Sequence, residues 1–276
     1  MGEAASQRVV ILGAGRVATH LVPALVEAGH RVVQVWSRTE ASARVLAEPL
    51  GIPYITDLDA VATDADVYIA CVADGALPEV AAKIGGLTLR PLQGERELTG
   101  AIRETPLFLH TAGSVPMDIW SKTGAQHYGI LYPLQTFSKE RAVDMREVSL
   151  FIEASDEVPM ARIEALAHSL SERVFRADSK RRARLHIAAV FACNFANAMY
   201  DAAHRLLAED DIPFEVLLPL IDETAAKVHT LAPREAQTGP AVRGDRAVME
   251  HHMEALNGDE RLQQIYSMIS DYIAKK

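Results

Sequence analysis

Cysteine is nearly absent from the 276-residue chain: Cys71 and Cys193 stand far apart with no second ligand beside either. That excludes a disulfide framework and a cysteine-based zinc site, and it suits a reducing cytosol. Positive charge is also scarce, with 28 basic against 37 acidic residues and a net charge of -9. Neither half holds the basic excess that neutralises a phosphate backbone or an anionic bilayer, so neither nucleic acid nor membrane is an expected partner. No apolar run approaches the roughly 20 residues of a membrane span. No metal is expected either, because the adjacent His251 and His252 diverge by about 100° on a helix and belong to no zinc-ligand spacing. P-loop and nucleophile-elbow motifs are missing. What remains is an ordinary globular composition, 49% hydrophobic and 24% charged, which rules out a disordered chain. The start of the chain is polar rather than signal-like, so a cytoplasmic protein is expected. Gly2 and Ser6 formally match a myristoylation pattern, but one acyl chain without a polybasic partner anchors poorly.

Glycine is scarce in only one part of the chain. Thirteen of the sixteen glycines precede Ser155 and three follow it. Many strand–helix turns followed by long helices would give this split. β-Branched and apolar runs at Arg8–Leu12, Arg31–Trp36, Val67–Val72, Leu107–His110 and Val148–Glu153 read as strands with helices between most of them. Gly85–Pro106 reads as a long surface excursion. From Ser155 the period becomes helical: Pro159–Glu172, Ser179–Glu209, Pro213–Leu231, Arg246–Leu256 and Asp259–Lys275. The expected fold is therefore α/β, a Rossmann-type doubly wound parallel sheet over residues 1–154 followed by an all-α domain over 155–276.

One glycine motif carries chemistry. Gly13-Ala14-Gly15-Arg16-Val17-Ala18 follows a strand and opens a helix, the setting in which a dinucleotide pyrophosphate meets backbone N–H groups at a helix N-terminus. A purely structural turn is the alternative. The second strand ends in Ser37-Arg38-Thr39 where an NAD-binding sheet would place an acidic residue, and hydroxyls with a guanidinium suit a 2′-phosphate. NADP(H) is favoured over NAD. Ligands in such sheets gather at the carboxyl ends of strands, which adds Val72-Ala73-Asp74 and His110-Thr111-Ala112-Gly113-Ser114 to the candidate crevice. Of these, Ser114 is read as facing substrate and Val72, Ala73, Asp74, His110, Ala112 and Gly113 as facing cofactor; Asp74 serves equally well as a helix cap.

Taken together, Gly13-Ala14-Gly15, His110–Ser114, Tyr132-Pro133-Leu134-Gln135-Thr136-Phe137, Leu185-His186-Ile187-Ala188-Ala189 with Asn194, and Thr238-Gly239-Pro240 with Arg243-Gly244-Asp245 resemble a bacterial group of proposed oxidoreductases. These pair a Rossmann-like N-terminal domain with a helical C-terminal domain of unassigned function. The resemblance spans nearly the whole chain and extends distantly to pyrroline-5-carboxylate reductase, ketopantoate reductase, deazaflavin-dependent NADP reductases and the β-hydroxyacid (6-phosphogluconate) dehydrogenases. It implies a two-domain NAD(P)-linked enzyme, a homodimer through its helical domain, with a small anionic substrate held between domains. By analogy with a glycine-rich loop in the pyrroline-5-carboxylate reductases, Thr238 and Arg243 are candidates for binding a substrate carboxylate; a structural loop pinned by an Arg243–Asp245 pair is the alternative.

In one respect the sequence departs from these relatives. The hydroxyacid and ketopantoate enzymes carry a proton-donating lysine one helical turn before an asparagine; if that asparagine is Asn194, the lysine position is Val190. At 100° per residue, His186, Val190, Cys193, Asn194 and Asn197 share an arc of about 100°. A stripe mixing an imidazole and carboxamides suits a cleft wall better than a core, since each buried polar group needs a partner. His186 is then the candidate proton donor, with Asn194 or Asn197 orienting substrate; Tyr132 and Gln135, just before the last sheet strand, close the pocket from the sheet side. A histidine satisfied in the core or at a dimer interface is the alternative. Lys180, Arg181, Arg182 and Arg184 oppose the helix macrodipole; they either hold an anion or are solvated and balanced by Asp178 and Glu172. Two functions stay open: a reductase passing hydride from NADPH to a small 2-oxo acid or cyclic imine, and a non-catalytic NADP-binding sensor or scaffold, which the missing lysine would favour.

Overall fold

The structure is a computed structural model and describes residues 6–88 and 105–275. Strands β1 (Arg8–Leu12), β2 (Arg31–Trp36), β3 (Tyr54–Ile55), β4 (Val67–Ala70), β5 (Leu107–His110), β6 (His127–Leu134), β7 (Ser149–Ala154) and β8 (Val174–Arg176) form one sheet in the order β3-β2-β1-β4-β5-β6-β7-β8. Every neighbouring pair is parallel except β6 and β7. Helices α1 (Arg16–Glu27), α2 (Glu40–Ala47), α3 (Leu77–Thr88) and α4 (Glu157–Leu170) accompany it.

The apolar strands are continuous runs because both faces of the sheet are covered. Successive side chains point to opposite faces. Val9, Ile11, Val67, Ile69, Leu107 and Leu109 join one core with Leu21 and Leu25 of α1 and Ile163 and Leu166 of α4. Their alternates Val10, Leu12, Tyr68 and Phe108 join the other with Leu77, Val80 and Ile84 of α3 and Trp120. This is the doubly wound α/β architecture expected of the N-terminal part.

The structure differs from the sequence reading in four places. Tyr132–Leu134, in no strand of the sequence reading, completes β6, whose alternation is masked by Gly129 and Pro133. A Cβ at Gly129 would overlap the Glu153 carbonyl across the β6–β7 pair, so close strand approach, not a turn, demands that glycine. A strand, β8, follows Ser155 and pairs with β7, although only helices were expected there. The chain divides into the compact units Met1–Cys193 and Asn194–Lys276, so Ser155, the expected boundary, lies within the first unit, where α4 packs on the sheet. Gly85 and Gly86 sit in α3 rather than in an excursion; residues 89–104 of that stretch, like Gly2, lie outside the described residues.

Beyond β8 the chain is helical: α5 (Ser179–Ala189), a π segment (Val190–Phe195), α6 (Ala196–Ala208), α7 (Leu218–Lys227), α8 (Pro233–Ala236), α9 (Pro240–Arg243), α10 (Arg246–Ala255) and α11 (Glu260–Ala274). The second unit is thus all-α. Asp245 and Asp259 cap α10 and α11 by accepting from the N–H groups of Val248 at 3.3 Å and Leu262 at 3.0 Å. Among the described residues, no helix is long and apolar enough to cross a membrane.

Phe108 is fully buried between Tyr68 and Trp120, with ring centroids 5.2 and 5.5 Å away. Phe108→Ala is expected to cost about 3–5 kcal/mol in urea denaturation and Phe108→Leu markedly less, because the alanine leaves a cavity that this close-packed core cannot refill.

Candidate active site

Gly13 has φ +119°, and a Cβ there would lie 2.5 Å from the Cys71 carbonyl oxygen, so the turn after β1 admits only glycine. Its N–H donates to the Trp36 carbonyl at 2.7 Å, tying the turn to the end of β2. Gly15 is different: a Cβ there would meet only that same oxygen, at an unstrained 3.8 Å. It occupies the N-cap of α1, where no side chain caps the helix and no acidic residue sits in the first turn. The first N–H groups of α1, from Arg16 and Val17 onward, are therefore left without a side-chain acceptor and face an electropositive helix end. Ala14 and Ala18 are buried, allowing α1 to pack closely on the sheet. Ser37 is buried at the end of β2, whereas Arg38 and Thr39 are exposed, Thr39 bonding Ser42 at 2.9 Å.

At the neighbouring strand ends the chain assembles a polar cluster. Val72 and Ala73 follow β4 and lead to Asp74, which does not cap the short helix it begins; its carboxylate instead accepts from the Ser114 hydroxyl in the β5 loop. His110 is fully buried, and its ring is spent on its own loop: Nδ1 accepts from the Ala112 N–H at 3.2 Å and Nε2 lies 3.4 Å from the Pro116 carbonyl oxygen. Its contribution is the shape of the loop. Gly113 then passes beneath two rings, for a Cβ on it would lie 2.7 Å from His186 Nδ1 and 2.9 Å from Tyr132 Cζ. Those rings meet each other, Tyr132 Oη to His186 Nδ1 at 3.1 Å, edge to face. The structure thus gathers Asp74, Gly113, Ser114, Tyr132 and His186 from the ends of β4, β5 and β6 and from α5.

Sequence reasoning missed what holds α5 in place. Asp178 caps the helix by accepting from the Arg181 N–H at 2.7 Å, which offsets part of the misplaced positive charge. Arg182 is no solvated cation: it is 1% exposed, paired with Glu153 of β7, and donates to the Val115 carbonyl at 2.6 Å. Glu153 also accepts from Ser179, at 2.8 Å from both its N–H and its hydroxyl. A signal was present, since a charge unfavourable at a helix start implies a compensating partner, but the partner lies 29 positions away in sequence.

Gln135 is exposed just beyond β6, and its Oε1 accepts from the adjoining Thr136 N–H at 2.8 Å. Asn194, Asn197, Thr238 and Arg243 belong to the second unit and are exposed there. The wheel arithmetic for Asn194 and Asn197 stops at Val190, because the π segment widens the hydrogen-bond pattern to i→i+5 and each residue advances by less than 100°. Thr238 precedes and Arg243 ends the one-turn α9, which is framed by Gly239 and Gly244; Asp245 spends its carboxylate on capping α10. A cavity of about 810 Å³ lies between α1 and the loop after β6, lined by His20, Lys139 and Arg146 among others, and includes none of the cluster residues.

Residues 8–91 match the family model "NADP oxidoreductase coenzyme F420-dependent", and residues 148–273 match a domain of unknown function, DUF2520. A Bacteroides fragilis protein proposed to be an NADP oxidoreductase is 46% identical over 98% of this chain and 99% of its own, with a TM-score of 0.87. The chain belongs to this family. The family resemblance read from its motifs therefore holds, and the chain is of NADP-oxidoreductase type. A 1-pyrroline-5-carboxylate reductase from Streptococcus pyogenes (13% identity, 98% and 99% of the two chains, TM-score 0.60) shares the fold. So does a reductive aminase from Aspergillus terreus solved with NADPH and ethyl levulinate (15% identity, 97% and 92%, TM-score 0.66). No curated protein matches the sequence.

Burial pushes the His110 imidazole down to about 4, from an ordinary value of 6.5. Between those two values the unfolded chain takes up a proton that the folded state refuses. Stability is therefore complete above pH 6.5 and falls as the pH drops towards 4, by about 3 kcal/mol in all. His110→Asn, which keeps an acceptor for the Ala112 N–H without the titration, is expected to flatten this part of the profile when urea midpoints are compared at pH 7 and 4.5.

Proposed function

We propose that the protein is a reductase that transfers hydride from NADPH to a small 2-oxo acid or cyclic imine, with His186 supplying the proton. The observation that carries this reading is the hydrogen-bonded Tyr132–His186 pair standing with Asp74 and Ser114 at the carboxyl ends of β4 to β6, where sheets of this kind place their ligands.

The nucleotide end of the site fits a dinucleotide on its own geometry. Gly13 is glycine because its own chain requires it, whereas nothing in the chain requires a glycine at 15, and the α1 terminus beside it presents uncapped N–H groups. The pyrophosphate would lie on Gly15, Arg16 and Val17, and the 2′-phosphate against Ser37, Arg38 and Thr39. Val72, Ala73, Ala112 and Gly113 would hold the ribose and nicotinamide end. The bound cofactor supplies a hydride. The protein's own part is orientation and protonation: Ser114, held by Asp74, and Asn194 or Asn197 are the hydrogen-bonding groups offered to substrate, and the exposed Arg243 with Thr238 offers a site for a carboxylate.

The same reading includes a second copy of the chain. Among the described residues of the second unit only Ala241 is buried, while Leu220, Met268 and Tyr272 are 63%, 72% and 83% exposed. A pocket of about 330 Å³ between α6, α9, α10 and α11 is lined chiefly by apolar side chains, among them Leu206, Ile265 and Ile269. A helical unit this poor in core needs a partner to remove its apolar surface from water. With free thiols at Cys71 and Cys193, a cytoplasmic dimer is the form proposed.

Three measurements test the reading. In fluorescence titrations NADPH should bind more tightly than NADH, and Arg38→Ala should weaken NADPH by roughly 10–100-fold while sparing NADH. NADPH absorbance should fall with some member of an oxo-acid and imine panel; tight NADPH binding with no turnover anywhere would favour a sensor instead. Light scattering should give twice the 30.1 kDa chain mass, and a monomer at micromolar concentration would refute the dimer.

A further inference from the structure

We infer that Tyr132 is a positioning residue that fixes the tautomer of His186, so that Nδ1 is the acceptor and the proton is carried on Nε2, the nitrogen left free to face a ligand. This inference rests on the reading of His186 as proton donor and adds the group that prepares it.

The argument is one of hydrogen-bond accounting. Tyr132 stands on β6 with only 8% of its surface exposed, and a hydroxyl in that setting must place its proton on an acceptor or pay for its desolvation. Among the described residues its partner is His186 Nδ1, at 3.1 Å. Burial pushes the phenol above its ordinary range; Arg182 acts against that shift and Asp74 with it, so the hydroxyl remains a donor throughout the working pH range. A neutral imidazole has one donor and one acceptor nitrogen. Were Nδ1 the protonated one, two hydrogens would face each other along the 3.1 Å contact, or the phenol proton would be left without a partner. The donating Tyr132 therefore selects Nε2–H.

The pair cannot readily drift out of this arrangement. Gly113 closes it from the β5 side, where even a methyl group would collide with both rings. Arg182, one helical turn before His186 on α5, is fixed to Glu153 and to the Val115 carbonyl, holding the helix against the strand ends. The other charge acting on Tyr132 is Asp74, which is engaged by Ser114, and the buried His110, neutral at this pH, is turned to its own loop. None of them competes for Nδ1. The role is that of an orienting residue for the resting imidazole, played here by a phenol on a sheet strand; when His186 takes up the proton it gives to substrate, both ring nitrogens become donors and the Tyr132 oxygen turns to accept from Nδ1.

The test is ¹⁵N NMR of the full-length, ¹⁵N-histidine-labelled protein at neutral pH, with His186→Gln used to assign the resonances. The expected result is a pyridine-type Nδ1 and a pyrrole-type Nε2 at His186, converting to a mixture of tautomers in Tyr132→Phe, which keeps the ring and the packing. Protonation on Nδ1 in the wild type, or an unchanged spectrum in Tyr132→Phe, would overturn the inference. With a substrate that turns over, Tyr132→Phe should lower kcat about tenfold and change KM less than about twofold. Failure of the proton-donor reading is seen separately, as a rate unaffected by His186→Gln, whereas the tautomer assignment is decided by the spectrum alone.

Discussion

The buried ion pair between Arg182 and Glu153 is the contact on which the arrangement of the site depends. A guanidinium taken almost wholly out of water is tolerable only if its charge and most of its N–H groups are answered. Glu153, Ser179 and the Val115 carbonyl do this from three directions, so that one side chain joins α5, β7 and the loop after β5. His186 lies one turn further along the same helix face, so the pair that neutralises Arg182 also sets the height of the imidazole above Gly113. Removing either partner would leave an uncompensated charge in the interior, which is why the contact specifies geometry more strongly than it adds stability.

The reversal of direction between β6 and β7 matters for the same reason. A sheet that stayed parallel would need another crossover before α5 could return to the strand ends. Instead β7 runs back beside β6, α4 packs on the resulting corner, and β8 delivers the chain directly to Asp178 and the start of α5. The catalytic candidate on the helix and its hydroxyl partner on β6 are brought together by this switch.

Local features were legible in the sequence and non-local ones were not. The glycine turn, the five longest apolar runs and the helices after Ser179 could be read because strand, turn and helix signals are contained within a few residues. β6 was hidden because Gly129 and Pro133, which usually argue against a strand, are there accommodated by close pairing and by the ladder to β7. The basic run at 180–184 could be read only as an anion site or a solvated face because Glu153 lies far away in the chain. His110 was recognisable as a strand-end residue, but only its complete burial shows that its ring shapes a loop. The π segment has no signature in the 100° count that assigned faces to the residues beyond it.

The two glycines of the first turn look equivalent as a motif, yet they answer to different constraints. Gly13 is demanded by the fold, through a positive φ and the Cys71 carbonyl, and would be retained by selection for folding alone. A Cβ at Gly15 would meet its own chain only at an ordinary contact distance, so the turn itself makes no such demand there. In a lineage of this family that had abandoned its nucleotide, the first glycine would persist and the second would drift. The second position, not the motif as a whole, is therefore where cofactor use would leave its record.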